Sequence, residues 1–431
     1  MTTRALLFAS LAVALPAFAS AQTTVTHVAG VTVVSQPDPS AALTGVEFTI
    51  AAGLDRERLP QDGLAALVAR TILETPSEGG VPLSDAIAAH GGSVTFTIAA
   101  HDVRFYVEAL ASDAPTDLAL FARAVAAPDF SPATVRAARD ALVHDIAGRQ
   151  QEPLDVGFEM LDFAQADGGN AGLPCFGTPA TLYALAPSDA NAFYGTYYRR
   201  GGSSISGAGR IDALGATGLA AFATMLPAGS TAVVKTATTP LRGSGHELVA
   251  RRSIGAPWLI VRYGAPSLGS ADYGPMLVLA AFLQRTLADV AEVPGTITPT
   301  LASQAVGATY AFDRMPGELD LYVDGALDND PNRMFGTALS VVNLLAATRL
   351  QGSIDQFKTI AAGDFAARHA TVEQRARLAG LFARQTGSAE YLEVTMRAIE
   401  ATTPADLQRV ARRYLANPTI ALVLPRAAVQ N

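Results

Sequence analysis

The six histidines of this sequence, which are the side chains best suited to bind a transition metal or to carry protons near neutral pH, are spread along the chain. Two histidines are followed directly by an aspartate, in His101-Asp102 and His144-Asp145, and together they could build a metal site. Neighbouring residues point in different directions on a helix or a strand, so each pair could offer only one side chain to the ion. The other histidines stand singly, and we expect them in turns, strand entries and surface stretches: His27, His90, His246 and His369.

The sequence gives equally little support for catalysis by a cysteine thiol or by a serine hydroxyl. The single cysteine, Cys175, excludes an intramolecular disulfide and any multi-cysteine metal site, and we expect it to be a buried thiol. No G-x-S-x-G motif supplies a serine nucleophile. The segment SGAG at 206–209 follows a predicted strand, but a dinucleotide loop would need a third glycine where Asp212 stands. We interpret that segment as a glycine turn that enters a helix.

The composition is typical of a globular protein with large cores. Of 431 residues, 49% are hydrophobic and 16% are charged, whereas average soluble domains carry roughly 25% charged residues. This balance excludes a disordered chain, and the length indicates two or three domains. A net charge of −8 argues against a nucleic-acid partner, because such a partner requires a basic face on the protein.

The first residues are predicted to be a signal peptide rather than part of the fold. Arg4 is followed by an apolar run, Ala5–Phe18, and then by Ala19-Ser20-Ala21, which matches an A-x-A cleavage site. After residue 21 no apolar run reaches the roughly 18 residues that are needed to cross a bilayer. We therefore expect an exported protein without a membrane span, either periplasmic or secreted.

Two stretches of the sequence repeat at nearly the same interval. The strand, glycine and helix around Gly53 are matched around Gly264, 211 residues later. A second predicted strand, residues 103–110, is matched by residues 319–327. Two independent matches at nearly one interval indicate two homologous halves of the chain.

These repeats divide the chain into domains and suggest its fold. We expect a signal peptide over 1–21, an N-terminal half over 22–235, a linker over 236–245 and a C-terminal half over 246–431. Strands come early in each half and helices follow together, which favours an α+β fold in which helices pack on one face of an antiparallel sheet. The two halves would form a clam shell. Ser131-Pro132 is expected to start a helix through Arg149, and Ser188-Asp189 to start the next clear one.

Three motifs follow one another in a characteristic order. Residues 52–57 (AGLDRE) and 63–65 (GLA) form a glycine-and-acid loop that leads into a helix, and 90–97 (HGGSVTFT) form a Gly-Gly turn into an edge strand. The stretch 176–198 then precedes the last strand of the first half. Together with the repeat, these motifs resemble the pitrilysin/insulinase family of zinc peptidases, including its mitochondrial processing peptidase branch. The resemblance covers nearly all of the chain after residue 21.

The resemblance implies where catalysis would occur. The family holds zinc with an H-x-x-E-H motif on its first helix, in which two histidines bind the ion and the glutamate activates a water. Counting from Gly63, these positions are Ala66, Ala69 and Arg70, which supply neither ligand nor base. The family's remaining acidic ligand corresponds to Asp145. We therefore predict no catalytic residue, no bound metal and no other cofactor, with Asp145 as a remnant of the site.

The apolar stripe of the same helix is expected to face the core, which would turn the three degenerate positions toward the cleft between the halves. The corresponding positions of the second half are Leu277, Ala280 and Ala281, so no metal donor is expected there either.

Substrate contacts can be assigned by the same resemblance. The second half of active family members contributes an arginine and a tyrosine to substrate binding; Tyr310 matches the tyrosine, whereas Ser303 stands in the arginine position. The edge strand of the first half would present Thr95 and Phe96 to a bound peptide. Alternatively, Tyr310 is an ordinary aromatic residue of a strand.

Arg70 offers a hypothesis about what replaced the metal. It stands where the second histidine would be, and its guanidinium could reach the space of the ion. We predict a salt bridge between Arg70 and Asp145, bidentate in its strongest form, as a clamp between two helices. The alternative is that Arg70 extends to solvent and Asp145 lies at the rim of the cleft.

Three functions remain open. The first is a non-catalytic subunit that forms a heterodimer with an active zinc-peptidase paralogue and completes its peptide chamber; the resemblance implies it, because some bacterial family members form such unequal pairs. The second is a stand-alone periplasmic peptide-binding or scaffold protein, or a homodimer. The third is a peptidase with altered catalytic residues. The high apolar and low charged fractions suit a chain that buries an additional interface, which favours the first.

Overall fold

The computed structural model describes residues 23–77, 79–166, 169–214, 218–230, 245–291, 306–325 and 354–426, together with 330, 332–336, 338–339 and 342. The predicted signal peptide, the linker apart from Gly245, and Ser303 lie outside the described residues. Among the helices within these ranges, none combines the length and the apolar character that crossing a membrane requires.

The strands form two sheets. The first consists of β1 (Thr24–Val28), β2 (Val31–Pro37), β3 (Leu43–Ile50), β4 (Ser93–Ile98), β5 (Val103–Leu110) and β6 (Ser204–Gly209), in the order β1-β2-β6-β3-β5-β4. The second consists of β7 (Glu247–Arg252), β8 (Trp258–Ala265), β9 (Val306–Ala311), β10 (Gly317–Asp324) and β11 (Thr419–Pro425), in the order β7-β11-β8-β10-β9. Neighbouring strands are antiparallel except for β2 with β6 and β7 with β11. The predicted α+β fold with a mainly antiparallel sheet in each half is confirmed.

In each half some helices lie between strands rather than after them: two separate β3 from β4, and one described helix separates β8 from β9. The helices of the first half are α1 (Leu64–Glu74), α2 (Leu83–Ala88), α3 (Ala114–Ala126), α4 (Pro132–Arg149), α5 (Pro153–Gln165), α6 (Pro179–Ala184), α7 (Pro187–Tyr197) and α8 (Gly218–Phe222). Those described in the second half are α9 (Tyr273–Ala291), α10 (Ile354–Ala367), α11 (Val372–Thr386), α12 (Tyr391–Glu400) and α13 (Pro404–Tyr414).

Of the two predicted helix starts, the first is confirmed as expected and the second belongs to a later helix. The helix from Pro132 to Arg149 is confirmed, and the Ser131 side chain caps it by accepting a hydrogen bond from the Thr134 amide. The next two helices, α5 and α6, were not predicted; they come before the helix that Ser188-Asp189 indicated. That later helix starts at Pro187, and the Asp189 carboxylate accepts a hydrogen bond from the Ala186 amide.

Side chains along the central strands point alternately to the two faces of each sheet. In β3, Val46, Phe48 and Ile50 belong to the first-half core, and in β8, Leu259, Val261 and Tyr263 belong to the second-half core. The intervening residues, with period two, face the other way. On that opposite face lie Glu47 of β3 and Arg262 of β8, both nearly inaccessible to solvent.

Each half places one helix on the opposite face of the other half's sheet. Helix α5 of the first half packs on β7, β8 and β11, and helix α11 of the second half packs on β2, β3 and β6. A glycine permits close approach in α11, because a Cβ on Gly380 would lie only 2.5 Å from Ser206 Oγ. The halves are therefore joined by exchanged helices, and each sheet is covered on both faces.

Candidate functional site

A cavity of about 790 Å³ lies between the halves. Strand β4 and the turn that follows it form one wall, and α5 forms another. The segment 313–318 and helix α11 complete it. We call it the interhalf cavity; its lining includes Phe96, His101, Phe158, Arg314 and Arg384.

The degenerate metal positions lie at the start of α1. The helix begins after Gly63, whose φ of 90° is in the left-handed region that glycine adopts without strain. The buried Glu57 carboxylate accepts hydrogen bonds from the Gly63 and Ala65 amides, which satisfies free donors at this helix end. Ala66 and Ala69 are wholly buried in the first-half core.

The expected orientation toward the cleft is wrong for these two alanines. The interhalf cavity is lined by neither of them, nor by Arg70. Phe176 packs on Phe96 at a ring-centroid distance of 6.0 Å, and both contact the first-half core and line the cavity wall. Ala66 and Ala69 are thus part of the first-half core, whereas Arg70 at the third position stays partly exposed.

Arg70 binds two carboxylates. Its Nε lies 3.1 Å from Glu74 Oε1, one turn along α1, and its Nη1 lies 3.7 Å from Asp145 Oδ2 on α4. The predicted ion pair between Arg70 and Asp145 is confirmed as a single contact, but the bidentate form is not. Both side chains remain partly exposed, at 27% and 37%, so this is a surface contact between the helices rather than a buried clamp.

These residues do not fit a zinc ion. Two methyl groups and a guanidinium supply no metal ligand, and Asp145 is the only oxygen donor of the four positions. Among the side chains that the structure describes, no cluster of three or more histidine, cysteine, aspartate or glutamate residues could hold a metal elsewhere.

The two His-Asp pairs do not come together. His101 Nδ1 lies 3.1 Å from Asp55 Oδ2, while Asp102 binds Arg104 at 2.7 Å. His144 is exposed on α4. The rearranged metal site that these pairs suggested therefore does not form.

Two of the single histidines have specific partners. His90 Nδ1 lies 2.6 Å from the buried Asp117 carboxylate, which raises the pKa of His90. His369 is not a surface residue as expected: it is buried, stacks on Tyr391 at 4.8 Å, and burial lowers its pKa to about 4.

The expected peptide-contacting residues are in different environments. Thr95 is exposed on β4, which is an edge strand beside the interhalf cavity, and Phe96 lines the cavity itself. Tyr310 is buried in the second half and donates its hydroxyl hydrogen bond to the Pro266 carbonyl at 2.5 Å. Burial raises the pKa of Tyr310 well above its usual value.

The second half has its own groove at the positions that correspond to the metal site. Leu277, Ala280 and Ala281 line a pocket of about 370 Å³ together with Tyr310. Gln284 of α9 accepts a hydrogen bond from the Ala308 amide at 2.6 Å, so a side chain occupies part of the β9 edge. The part of the groove lining that α9 supplies is apolar apart from Gln284.

Sequence reasoning missed the charged lining of the interhalf cavity. Arg149 lies 3.5 Å from Asp155 and 3.3 Å from Glu159, and its guanidinium stacks 5.4 Å from the Phe176 ring centroid. Burial raises the pKa of Glu159 and raises that of the half-buried Cys175 to about 12. Burial thus favours the protonated form of Cys175, which lies in the cavity wall rather than in a core.

Ion pairs also cross between the halves. Asp162 of α5 binds Arg262 and lies 2.6 Å from Arg314, and Arg384 of α11 lies 3.5 Å from Glu47. The sequence contains a signal for these ion pairs, because Arg262 and Glu47 are each the one charged residue of a mainly apolar strand. Such a charge requires a partner on the same face of the sheet.

Comparisons with known proteins agree with this geometry. Residues 32–178 match the family model described as insulinase (peptidase family M16). Uncharacterised zinc proteases of Mycobacterium bovis and Mycobacterium tuberculosis are 24% identical over 198 residues. That match spans 46% of this chain and 45% of each relative, less than half of their length.

Solved structures share the fold along nearly the whole chain. A protease from Helicobacter pylori superposes with a TM-score of 0.78 at 13% identity, over 94% of this chain and 100% of the other. A peptidase M16 inactive domain from Pseudomonas fluorescens superposes with a TM-score of 0.75 at 15% identity, over 95% and 100%. The arrangement of two α+β halves is that of M16-like structures.

Proposed function

Residues 32–178 of this chain form a domain of the insulinase family (peptidase family M16), and from that premise we propose that the protein is a non-catalytic subunit. It acts beside an active zinc-peptidase paralogue and completes the peptide-binding chamber of that enzyme. The observation that carries the proposal is the replacement of all three H-x-x-E-H positions by Ala66, Ala69 and Arg70 in a chain that keeps the family fold.

The chemistry of the site supports this role. Without two imidazoles and a carboxylate on α1, no zinc-bound water can be generated at that helix. The space is filled instead by core packing around the two alanines and by the contacts of Arg70 with Glu74 and Asp145. A similar fold occurs in a Pseudomonas fluorescens protein described as an M16 inactive domain.

The parts that would bind a peptide remain. The interhalf cavity has room for several side chains, and β4 presents an unpaired edge within the described sheet. An extended peptide can add to such an edge through main-chain hydrogen bonds. We place this assembly in the periplasm, because residues 1–21 have the pattern of a cleaved signal peptide.

Affinity purification of the tagged chain from the native periplasm tests the proposal. We expect it to capture a paralogue with an intact H-x-x-E-H motif, and we expect the pair to hydrolyse an unstructured peptide faster than the paralogue does alone. Absence of such a paralogue, or equal turnover with and without this chain, would contradict the proposal.

Two matched arginine variants test whether the stimulation of the paralogue depends on the interhalf cavity. Arg377 lines the interhalf cavity and lies 2.7 Å from Asp313, whereas Arg397 is exposed on α12. Arg377→Ala should lower the stimulation of the paralogue, and Arg397→Ala should leave it unchanged. Equal effects of the two variants would mean that the cavity has no part in the activity.

A second function is favoured by the cavity and the β4 edge alone: a stand-alone peptide-binding or scaffold protein, as a monomer or a homodimer. It requires no partner enzyme. Light scattering of the purified chain, combined with fluorescence anisotropy of a labelled unstructured peptide, separates the two. Peptide binding by the isolated chain, together with an empty affinity purification, would favour this alternative.

A further inference from the structure

Five charged residues meet where α5 of the first half lies on the sheet of the second half. We call them the interhalf cluster: Asp162, Arg262, Arg314, Glu318 and Asp320. Only Asp162 comes from the first half. Arg262, Glu318 and Asp320 are buried. The side chains of Asp162 and Arg314 are 28% and 43% exposed, so the cluster extends from the buried sheet face to the solvent.

In this cluster one guanidinium nitrogen of each arginine contacts two carboxylates at once. Arg262 Nη1 binds Asp162 Oδ1 and lies 3.2 Å from Glu318 Oε2. Arg314 Nη1 lies 2.6 Å from Asp162 Oδ1 and 3.0 Å from the same Glu318 oxygen. Asp320 occupies the other side of Arg262, at 2.6 and 3.0 Å. Asp162 and Glu318 therefore compete for the same two nitrogens.

The groups that face Glu318 come from four elements. Arg262 and Asp320 lie on β8 and β10, Arg314 lies in the turn before β10, and Asp162 lies on α5. Near Arg314, Asp313 is paired with Arg377 of α11 and Arg104 of β5. With every carboxyl group of the cluster ionised, two positive charges face three negative charges, and Glu318 repels Asp162 directly.

A proton on Glu318 would change the attachment between the halves. A neutral carboxyl group attracts the two arginines less, so Asp162 would be the one carboxylate bound by both Nη1 atoms. Arg262 Nη1 would keep its second contact, with Gln165 Oε1 at 3.2 Å. Protonation would also remove the repulsion between the two acids. The electrostatic attraction that holds α5 on β8, between Asp162 and the two arginines, is therefore stronger when Glu318 is protonated than when it is ionised.

We propose that Glu318 is the proton switch of a latch between the halves, which holds α5 on the second sheet when Glu318 is protonated and loosens it when Glu318 is ionised. Since α5 carries Phe158 and Glu159 in the wall of the interhalf cavity, loosening it widens access to the cavity. This regulation goes beyond the proposed function and does not depend on a partner enzyme.

The latch works near neutral pH. Burial raises the pKa of Glu318 to about 7, although both arginines oppose the shift. The same arginines keep the pKa of Asp162 below its usual value, so Asp162 stays ionised throughout. Glu318 is thus the member of the pair that gains a proton on mild acidification.

Cys175 is a native reporter for this opening. It is the only cysteine, it lines the interhalf cavity, and its Sγ lies 3.9 Å from Glu159 of α5. Alkylation by N-ethylmaleimide can be followed by mass spectrometry for the wild-type chain and for Glu318→Gln, which fixes the neutral state. The ratio of their rates at one pH removes the common effect of thiolate formation.

The latch predicts a ratio that changes with pH. Wild type and Glu318→Gln should react at similar rates at about pH 6, and wild type should react about fivefold faster at about pH 8.5. Asp162→Asn should react fast at both values, because it removes the attachment itself. The control Glu393→Gln, at an exposed ion pair, should match wild type. A ratio that is the same at both pH values would overturn the proposal.

A second measurement needs no substitution. Amide hydrogen exchange along α5 in the wild-type chain, corrected for the intrinsic dependence on pH, should speed up through a transition near neutrality. Protection of α5 that is constant from about pH 6 to about pH 8.5 would likewise contradict the latch.

Discussion

Arg70 Nη1 lies 3.7 Å from Asp145 Oδ2, and this contact joins α1 to α4 at the place where the H-x-x-E-H pattern would put a zinc ligand. Arg70 also binds Glu74 at the shorter distance of 3.1 Å. A partly exposed arginine between two acids has thus taken the position of a histidine. It attracts carboxylates there, but it cannot bind a metal or activate water.

The Arg70–Asp145 pair should contribute little to stability. A double-mutant cycle with Arg70→Ala and Asp145→Ala should give a coupling free energy of about 0.5 kcal/mol, because both side chains are screened by solvent. Urea unfolding of the four proteins measures it. The exposed pair Arg285–Asp289 is a matched control and should give a similar value. A coupling above about 2 kcal/mol would indicate a buried clamp instead.

Ala69 should not tolerate the glutamate of the family motif. Its side chain is wholly buried among apolar neighbours, so Ala69→Glu places a carboxylate in the core and should cost at least about 2 kcal/mol of unfolding free energy. Ala147→Glu, at an exposed position of α4, should change it by less than about 0.5 kcal/mol. Equal thermal and urea midpoints for the two variants would contradict the burial of this face.

Two glycines should respond to alanine in opposite directions. A Cβ at Gly53 would lie 2.5 Å from the Ala99 carbonyl oxygen, in the turn that lines the interhalf cavity, so Gly53→Ala should destabilise by about 2 kcal/mol. Nothing lies within 4 Å of a Cβ at Gly148 in α4, so Gly148→Ala should stabilise by about 0.5–1 kcal/mol. The urea unfolding midpoints of the two variants measure these changes in stability. A loss of stability in both variants would contradict the open space at Gly148.

Glu57 should make stability fall as pH rises toward neutrality. Burial raises the pKa of Glu57 from 4.5 to about 7, so the folded state favours the neutral carboxyl group. Its stabilising contribution is complete below pH 4.5 and is lost as pH rises to about 7. Glu57→Gln should make the pH slope of the unfolding free energy shallower by up to about 1.4 kcal/mol per pH unit. Urea titrations at several pH values compare the slopes, and identical slopes would show that Glu57 is ionised when folded.

Local patterns in the sequence predicted the elements that depend on local physics. The helix from Pro132 to Arg149 has a cap and a regular apolar stripe, and the repeated strands alternate clearly. The positions of Ala66, Ala69 and Arg70 followed from counting along one motif. The complete burial of Ala66 and Ala69 did not, because it depends on how the rest of the first-half core packs around them.

Contacts between the halves could not be predicted in this way. Helix α5 was missed because its buried residues Val156 and Leu161 pack on the sheet of the other half rather than in a core of their own half. Arg262 and Asp162 are 100 residues apart in the chain, so no periodicity connects them. A charge within an apolar strand indicates that a partner exists, but only the packing of the two halves identifies it.

Turnover of an unstructured peptide by the purified full-length chain alone, measured with and without added zinc, tests the non-catalytic role most directly. Because Ala66, Ala69 and Arg70 offer neither ligands nor a base, we expect no zinc-dependent turnover, and none to appear at any pH at which the chain remains folded. Zinc-dependent turnover that a chelator removes, and that Asp145→Ala abolishes in a folded protein, would contradict the account.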